Sequence, residues 1–105
     1  MATQPPSFET HSVINAEHPS LPGHFPGAPI VPGVVILDEV AAALTQWRAG
    51  ARIVGMPVVK FTAPLRPQQP FTISLATGRD DEHRVDFSCQ AEGRTVAAGR
   101  LEIIC

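Results

Sequence analysis

An imidazole, a glycine at an expected helix start and a carboxylate fall within the stretch Gly23 to Asp38. His24 can take up a proton near neutral pH, since an unperturbed imidazole titrates at about 6.5. A helix that begins at Gly33 points unpaired backbone N–H groups outward, where they can stabilise negative charge developing on a carbonyl oxygen. Asp38, immediately followed by Glu39, is ringed in sequence by Ile36, Leu37, Val40 and Ala41. Enclosure by them would keep it protonated and able to act as an acid. The same residue types have blander uses. A histidine in a proline-rich loop is usually structural or exposed, and an acidic residue near a helix start often only complements the helix dipole.

The elements that must position these groups follow from proline, glycine and periodicity. Of eleven prolines, Pro19, Pro22, Pro26, Pro29 and Pro32 crowd the stretch His18 to Gly33. Each fixes φ and restricts the residue before it, so this stretch is read as a stiff loop. Its Phe25, Ile30 and Val31 are too apolar for a solvated linker, and the loop is expected to pack onto the domain. A helix is predicted over Gly33 to Trp47, started by Pro32 and Gly33 and ended by Gly50. Val34, Leu37, Ala41 and Leu44 make one apolar stripe and Ile36, Val40, Ala43 and Trp47 a second, so the helix is expected to be buried on two sides.

Strands are predicted at Phe8 to Ile14, Arg52 to Thr62, Phe71 to Thr77, His83 to Ala91 and Thr95 to Ile104. Turn signals at Pro64, Pro67 and Pro70, at Gly78 with Asp80 and Asp81, and at Gly93 separate the last four. In His83 to Ala91, Val85, Phe87 and Cys89 alternate with polar residues, the pattern of a sheet covered on one face. Strand, helix and four strands give an α+β class, an antiparallel sheet curled around a central helix.

Composition narrows the field. The chain has 105 residues, 44% hydrophobic and 17% charged, which suits a single domain over residues 1–105 and argues against global disorder. A formal net charge of −2, with no Lys/Arg-rich run, offers no field for nucleic acid. No apolar stretch approaches the ~20 residues of a membrane-spanning helix, and Met1 to Pro6 carries no secretory pattern. Two cysteines, Cys89 and Cys105, suit a reducing compartment, so a cytoplasmic location is expected.

The run Gly23-His24-Phe25-Pro26-Gly27-Ala28-Pro29-Ile30-Val31-Pro32-Gly33-Val34-Val35-Ile36-Leu37-Asp38 resembles the active-site segment of the β-hydroxyacyl-acyl-carrier-protein dehydratases of bacterial fatty-acid synthesis. That family's pattern is roughly G-H-F-P-x-x-P-x-x-P-G-V-x-x-x-[DE], and every fixed position matches. A weaker likeness continues through Lys60-Phe61-Thr62-Ala63-Pro64-Leu65-Arg66-Pro67 and the closing strand around Gly99. The resemblance implies the hot-dog fold, assembled as a homodimer by joining two sheets edge to edge, with no metal or organic cofactor.

It also implies roles. His24 corresponds to the catalytic histidine, Asp38 to the catalytic carboxylate and Gly33 to the glycine whose N–H binds the thioester carbonyl, with histidine and carboxylate drawn from different subunits. The implied reaction removes the α-proton and β-hydroxyl of a 3-hydroxyacyl thioester to give a trans-2-enoyl thioester. Phe25, Pro32 and Val34 would line the acyl channel. The implied partner is an acyl carrier protein bearing its substrate on a phosphopantetheine arm, and Arg48, Arg52 and Arg66 are candidates for its docking, against the plainer role of keeping the surface soluble. Where the family often carries Gln four residues beyond the carboxylate, this chain has Ala42, so the usual orienting contact is absent or replaced. The chain looks like a small member, of the kind found in secondary pathways such as aryl polyene assembly. Two other readings stay open: a thioesterase on the same fold, and a non-catalytic acyl-binding or partner subunit.

Other residues have simpler expectations. His11, His18 and His83 lack ligand spacing and no metal site is expected. Cys89 reads as a small core residue, and Trp47 as core or dimer packing rather than a ligand platform.

Overall fold

The computed structural model describes residues 7–15, 30–78 and 81–104. Strand β1 (Ser7–Ser12) precedes helix α1 (Gly33–Trp47), and β2 (Arg52–Phe61), β3 (Phe71–Gly78), β4 (Asp81–Ala91) and β5 (Arg94–Ile104) follow. The five strands form one antiparallel sheet in the order β1-β3-β4-β5-β2. Chain neighbours β3, β4 and β5 pair in sequence, while β1 and β2, which flank the helix, become the two edges. This curled sheet around one helix is the hot-dog arrangement, and α1 has the predicted bounds.

Alternation sets the inner face. Phe71, Ile73 and Leu75 of β3 and Val85, Phe87, Cys89 and Ala91 of β4 are buried, with Ile73 opposite Cys89 and Leu75 opposite Phe87. On β5, a bulge between Cys89 and Gln90 of the partner strand's register lets consecutive residues Val96 and Ala97 both turn inward. The two-residue connection from β4 to β5, Glu92 and Gly93, has positive φ at both positions (52° and 77°), the twist that suits a tight hairpin.

The helix buries one face, not two. Val35, Ile36, Val40, Ala43, Leu44 and Trp47 are buried, whereas Leu37 and Ala41 are half-buried and Val34 is 63% exposed. The sheet wraps one side of α1; of the expected first stripe Leu44 is buried, Leu37 and Ala41 lie at the margin and Val34 is outside. At the C-terminal end, Trp47 stacks on Phe8 of β1 at 6.2 Å, as core packing. Ser12 Oγ donates to the Glu39 carboxylate, tying β1 to the middle of α1.

Edge strand β2 is irregular. Its pairing with β5 shifts between Ile53 and Gly55 and again between Gly55 and Val58, leaving Met56 and Pro57 in the second shift. Gly99 permits a close approach of the β2 backbone and the Phe87 ring. A Cβ there would lie 2.1 Å from the Val58 carbonyl oxygen and 2.8 Å from the Phe87 ring.

Candidate active site

The N-terminal tip of α1 is held from behind. Pro32 occupies the N-cap in an extended conformation (φ −61°, ψ 145°) with no side-chain cap, and its carbonyl accepts from Val35 N–H at 3.0 Å. One residue earlier, Val31 N–H donates to the Leu65 carbonyl at 2.8 Å, which fixes the tip against the segment after β2. Among the described residues, the N–H groups of Gly33 and Val34 find no acceptor. They are orphan donors of the first turn, suited to an incoming carbonyl oxygen.

Beside this tip lies an open groove of about 570 Å³, walled by Val31, Pro32, Gly33, Ile36, Phe61 and Leu65 among others. Pro32, one of the three residues expected to line an acyl channel, is part of this wall. Val34 does not line this groove. It projects on the outward face of α1, together with Asp38 and Ala42, which are exposed.

Asp38 is five residues beyond Gly33, about 7.5 Å along the axis and turned by about 140° around it. One chain thus does not bring this carboxylate to the Gly33 amide. Nor do the described residues enclose it: Asp38 is exposed, and Ile36 and Val40 turn toward the sheet. His24 and Phe25 lie outside the described residues.

The three arginines separate along the molecule. Arg48 is engaged within the fold, its guanidinium 4.3 Å from the Trp47 ring centre and donating to Thr77 Oγ1 at 2.6 Å. It lies at the far end of α1, about 22 Å from Gly33 by helix rise, and Arg52 begins β2 near that end. Arg66 is exposed and follows Leu65 in sequence, but its side of the chain lines a separate pocket with Pro67, Gln69 and Arg94. Cys89 is fully buried, and burial pushes its thiol up to about 11, so it is packing and not a nucleophile. Among the described residues, no group of three or more metal-ligating side chains comes together, and no helix is long and apolar enough to cross a membrane.

Sequence reasoning missed Phe61. Its place at the end of a predicted strand marks it as ordinary, and no local signal says that its ring meets the helix tip. Were Gly33 given a Cβ, the Phe61 Cζ would be 2.7 Å away and both Cε atoms 3.0 Å. Gly33 does not need its glycine for a positive φ. Its glycine leaves room for the tip of the Phe61 ring, which a side chain there would push aside.

Comparison with known proteins gives these features a context. The ApeI-like family, described as ApeI dehydratase, matches residues 2–100. A 3-hydroxyacyl-[acyl-carrier-protein] dehydratase FabZ of Bartonella henselae is 29% identical over 99 residues, covering 86% of this chain. The chain spans 64% of that relative's length. Among solved structures, the dehydratase heterocomplex ApeI:P from Xenorhabdus doucetiae superposes with a TM-score of 0.82 at 21% identity, covering 98% of this chain and 90% of that one. The R-hydratase PhaJ1 from Pseudomonas aeruginosa gives 0.74 at 16%, covering 94% and 79%. Those two likenesses establish the hot-dog fold. With nearly the whole chain matched by the family pattern, and the helix-tip glycine opening on an apolar groove, the chain belongs to the ApeI-like dehydratase family.

Proposed function

We propose that this protein dehydrates 3-hydroxyacyl thioesters presented on an acyl carrier protein. The observation that carries the reading is the amide at Gly33, which has no acceptor among the described residues, set at a helix tip beside the groove that Phe61 helps to wall. A thioester carbonyl accepting from that N–H would have its α-proton acidified. His24 removes this proton, electron density collects on the carbonyl oxygen, and the Cα–Cβ double bond forms as the β-hydroxyl departs. Asp38 supplies the proton that turns the hydroxyl into water. The balance is one thioester in, one trans-2-enoyl thioester and one water out, and this proton chemistry calls for no redox or organic cofactor.

Because Asp38 faces outward on its own chain, we assign it to the site of a second chain, with a neighbour's carboxylate completing this one. Supporting this, Val34 on α1 and Val54, Met56, Val58 and Phe61 on edge strand β2 are all exposed, and β2 is an unpaired edge of the sheet. The second chain is proposed to be another copy. The Xenorhabdus complex is a heterocomplex, so a different hot-dog chain is the competing outcome. An ApeI-type role supports a specialised pathway of the aryl polyene kind in the cytoplasm, with Arg66 at the carrier's approach.

The test follows enoyl absorbance on 3-hydroxyacyl carrier-protein substrates, with the mass measured in parallel by light scattering. Wild type is expected to turn over as a species of twice 11.2 kDa. His24→Ala and Asp38→Asn are expected to lower kcat by about 100-fold or more. Release of free thiol instead of enoyl product would favour a thioesterase. Binding without turnover by the chain alone would favour a partner subunit.

A further inference from the structure

We propose that Phe61 is a specificity-determining residue whose ring, standing over the helix-tip amide of Gly33, sets the bulk of the acyl group admitted beside the thioester carbonyl. This rests on the dehydratase reading above. Three observations carry it.

The first is contact. The ring meets Gly33 tip-on, and the three atoms nearest to a Cβ at that position all belong to Phe61. The Gly33 nitrogen and the Cβ position that the ring tip approaches are both bonded to the same Cα, the nitrogen at about 1.46 Å. Any group bound to the N–H therefore lies within reach of the ring.

The second is exposure. Phe71 and Phe87 are 2% and 3% exposed and fill the core, whereas Phe61 is 50% exposed. Its ring contributes to the groove wall and not to the central packing. The third is a fixed hinge. Phe61 pairs with Ala97, and the next residue is pinned twice, Thr62 N–H to the Val96 carbonyl at 2.8 Å and Thr62 Oγ1 to the Thr95 carbonyl at 2.7 Å. The backbone cannot swing away, so only the side chain's own rotation relieves crowding by a larger substrate.

A wall of this kind discriminates by size. Removing ring atoms should help a long or branched acyl group and do little for a short one, since even one methylene in a pocket changes selection by about tenfold or more. The experiment compares (R)-3-hydroxybutyryl and (R)-3-hydroxyoctanoyl pantetheine thioesters on wild type, Phe61→Leu and Phe61→Ala, each checked for an unchanged melting curve. The kcat/KM ratio of octanoyl to butyryl is expected to rise about tenfold in Phe61→Ala, with Phe61→Leu between. A ratio unchanged within about twofold, whatever happens to overall rates, overturns the proposal. A second arm uses Gly33→Ala, expected to crowd the ring and depress turnover of both substrates. Adding Phe61→Ala should restore it, and failure of that rescue also overturns the proposal. If wild type forms no enoyl product from either thioester, the dehydratase reading fails by itself. The same ratio is then read from Kd values of butyryl and octanoyl pantetheine, where it decides the role of Phe61 independently.

Discussion

Asp38 and Glu39 are adjacent carboxylates with opposite surroundings. Glu39 is half-buried and accepts from Ser12 Oγ, a hydrogen bond that holds β1 on the helix; Asp38 is exposed. A residue pair that alternates in this way around a helix separates a structural acid from one free for chemistry. Cys89 is the other residue with a distinctive environment. Burial raises its thiol from an ordinary 9 to about 11. The unfolded chain ionises this thiol at the lower value, so its contribution to stability is intact below pH 9 and is lost as pH rises through the window from 9 to about 11. The chain has no tyrosine and only one lysine, Lys60, which leaves few other groups titrating there. Urea melts between pH 8 and 11 should show stability falling in wild type and falling less in Cys89→Val. Thiol reagents at pH 8 should leave Cys89 unlabelled until the protein unfolds. At this scale the sequence was informative where chemistry depends on residue type, as with the core placement of Cys89. It was silent on Phe61, because the Gly33 contact spans 28 positions and leaves no periodic trace.

At the scale of elements, the helix was legible to the residue because Pro32, Gly33 and Gly50 punctuate it. The strands were legible to within about two residues, since alternation and turn residues coincide in β3, β4 and β5. What could not be read was how much of α1 the sheet covers. Two apolar stripes predict a helix buried on both sides, yet one chain supplies a sheet for only one of them, and Val34 and Asp38 remain outside. Nor do the shifts in β2 have a local signature beyond Gly55 and Pro57. Gly99 supplies the test at this scale. A methyl group there would sit 2.1 Å from a backbone oxygen, which no rotamer change relieves. Gly99→Ala is expected to destabilise the fold by roughly 1–3 kcal/mol, read as a lowered urea midpoint. A Gly93→Ala control bears on the hairpin turn alone, since a Cβ at Gly93 meets nothing within 4 Å but its φ is 77°.

For the whole molecule, sheet order matters more than any single contact. Placing β1 and β2 at the margins leaves two rows of main-chain groups that β3, β4 and β5 do not satisfy. The β2 margin is also the apolar one, with Val54, Met56 and Val58 exposed. An uninterrupted strand of that composition would be a template for indefinite growth, chain upon chain, into fibrous deposits. Pro57 removes one donor from the row, and the two register shifts bend the strand out of flatness. The irregularity of β2 thus makes this edge a poor template for such growth, a brake on polymerisation. Pro57→Val should release that brake: the variant is expected to gain turbidity and thioflavin signal on incubation at concentrations where wild type stays clear.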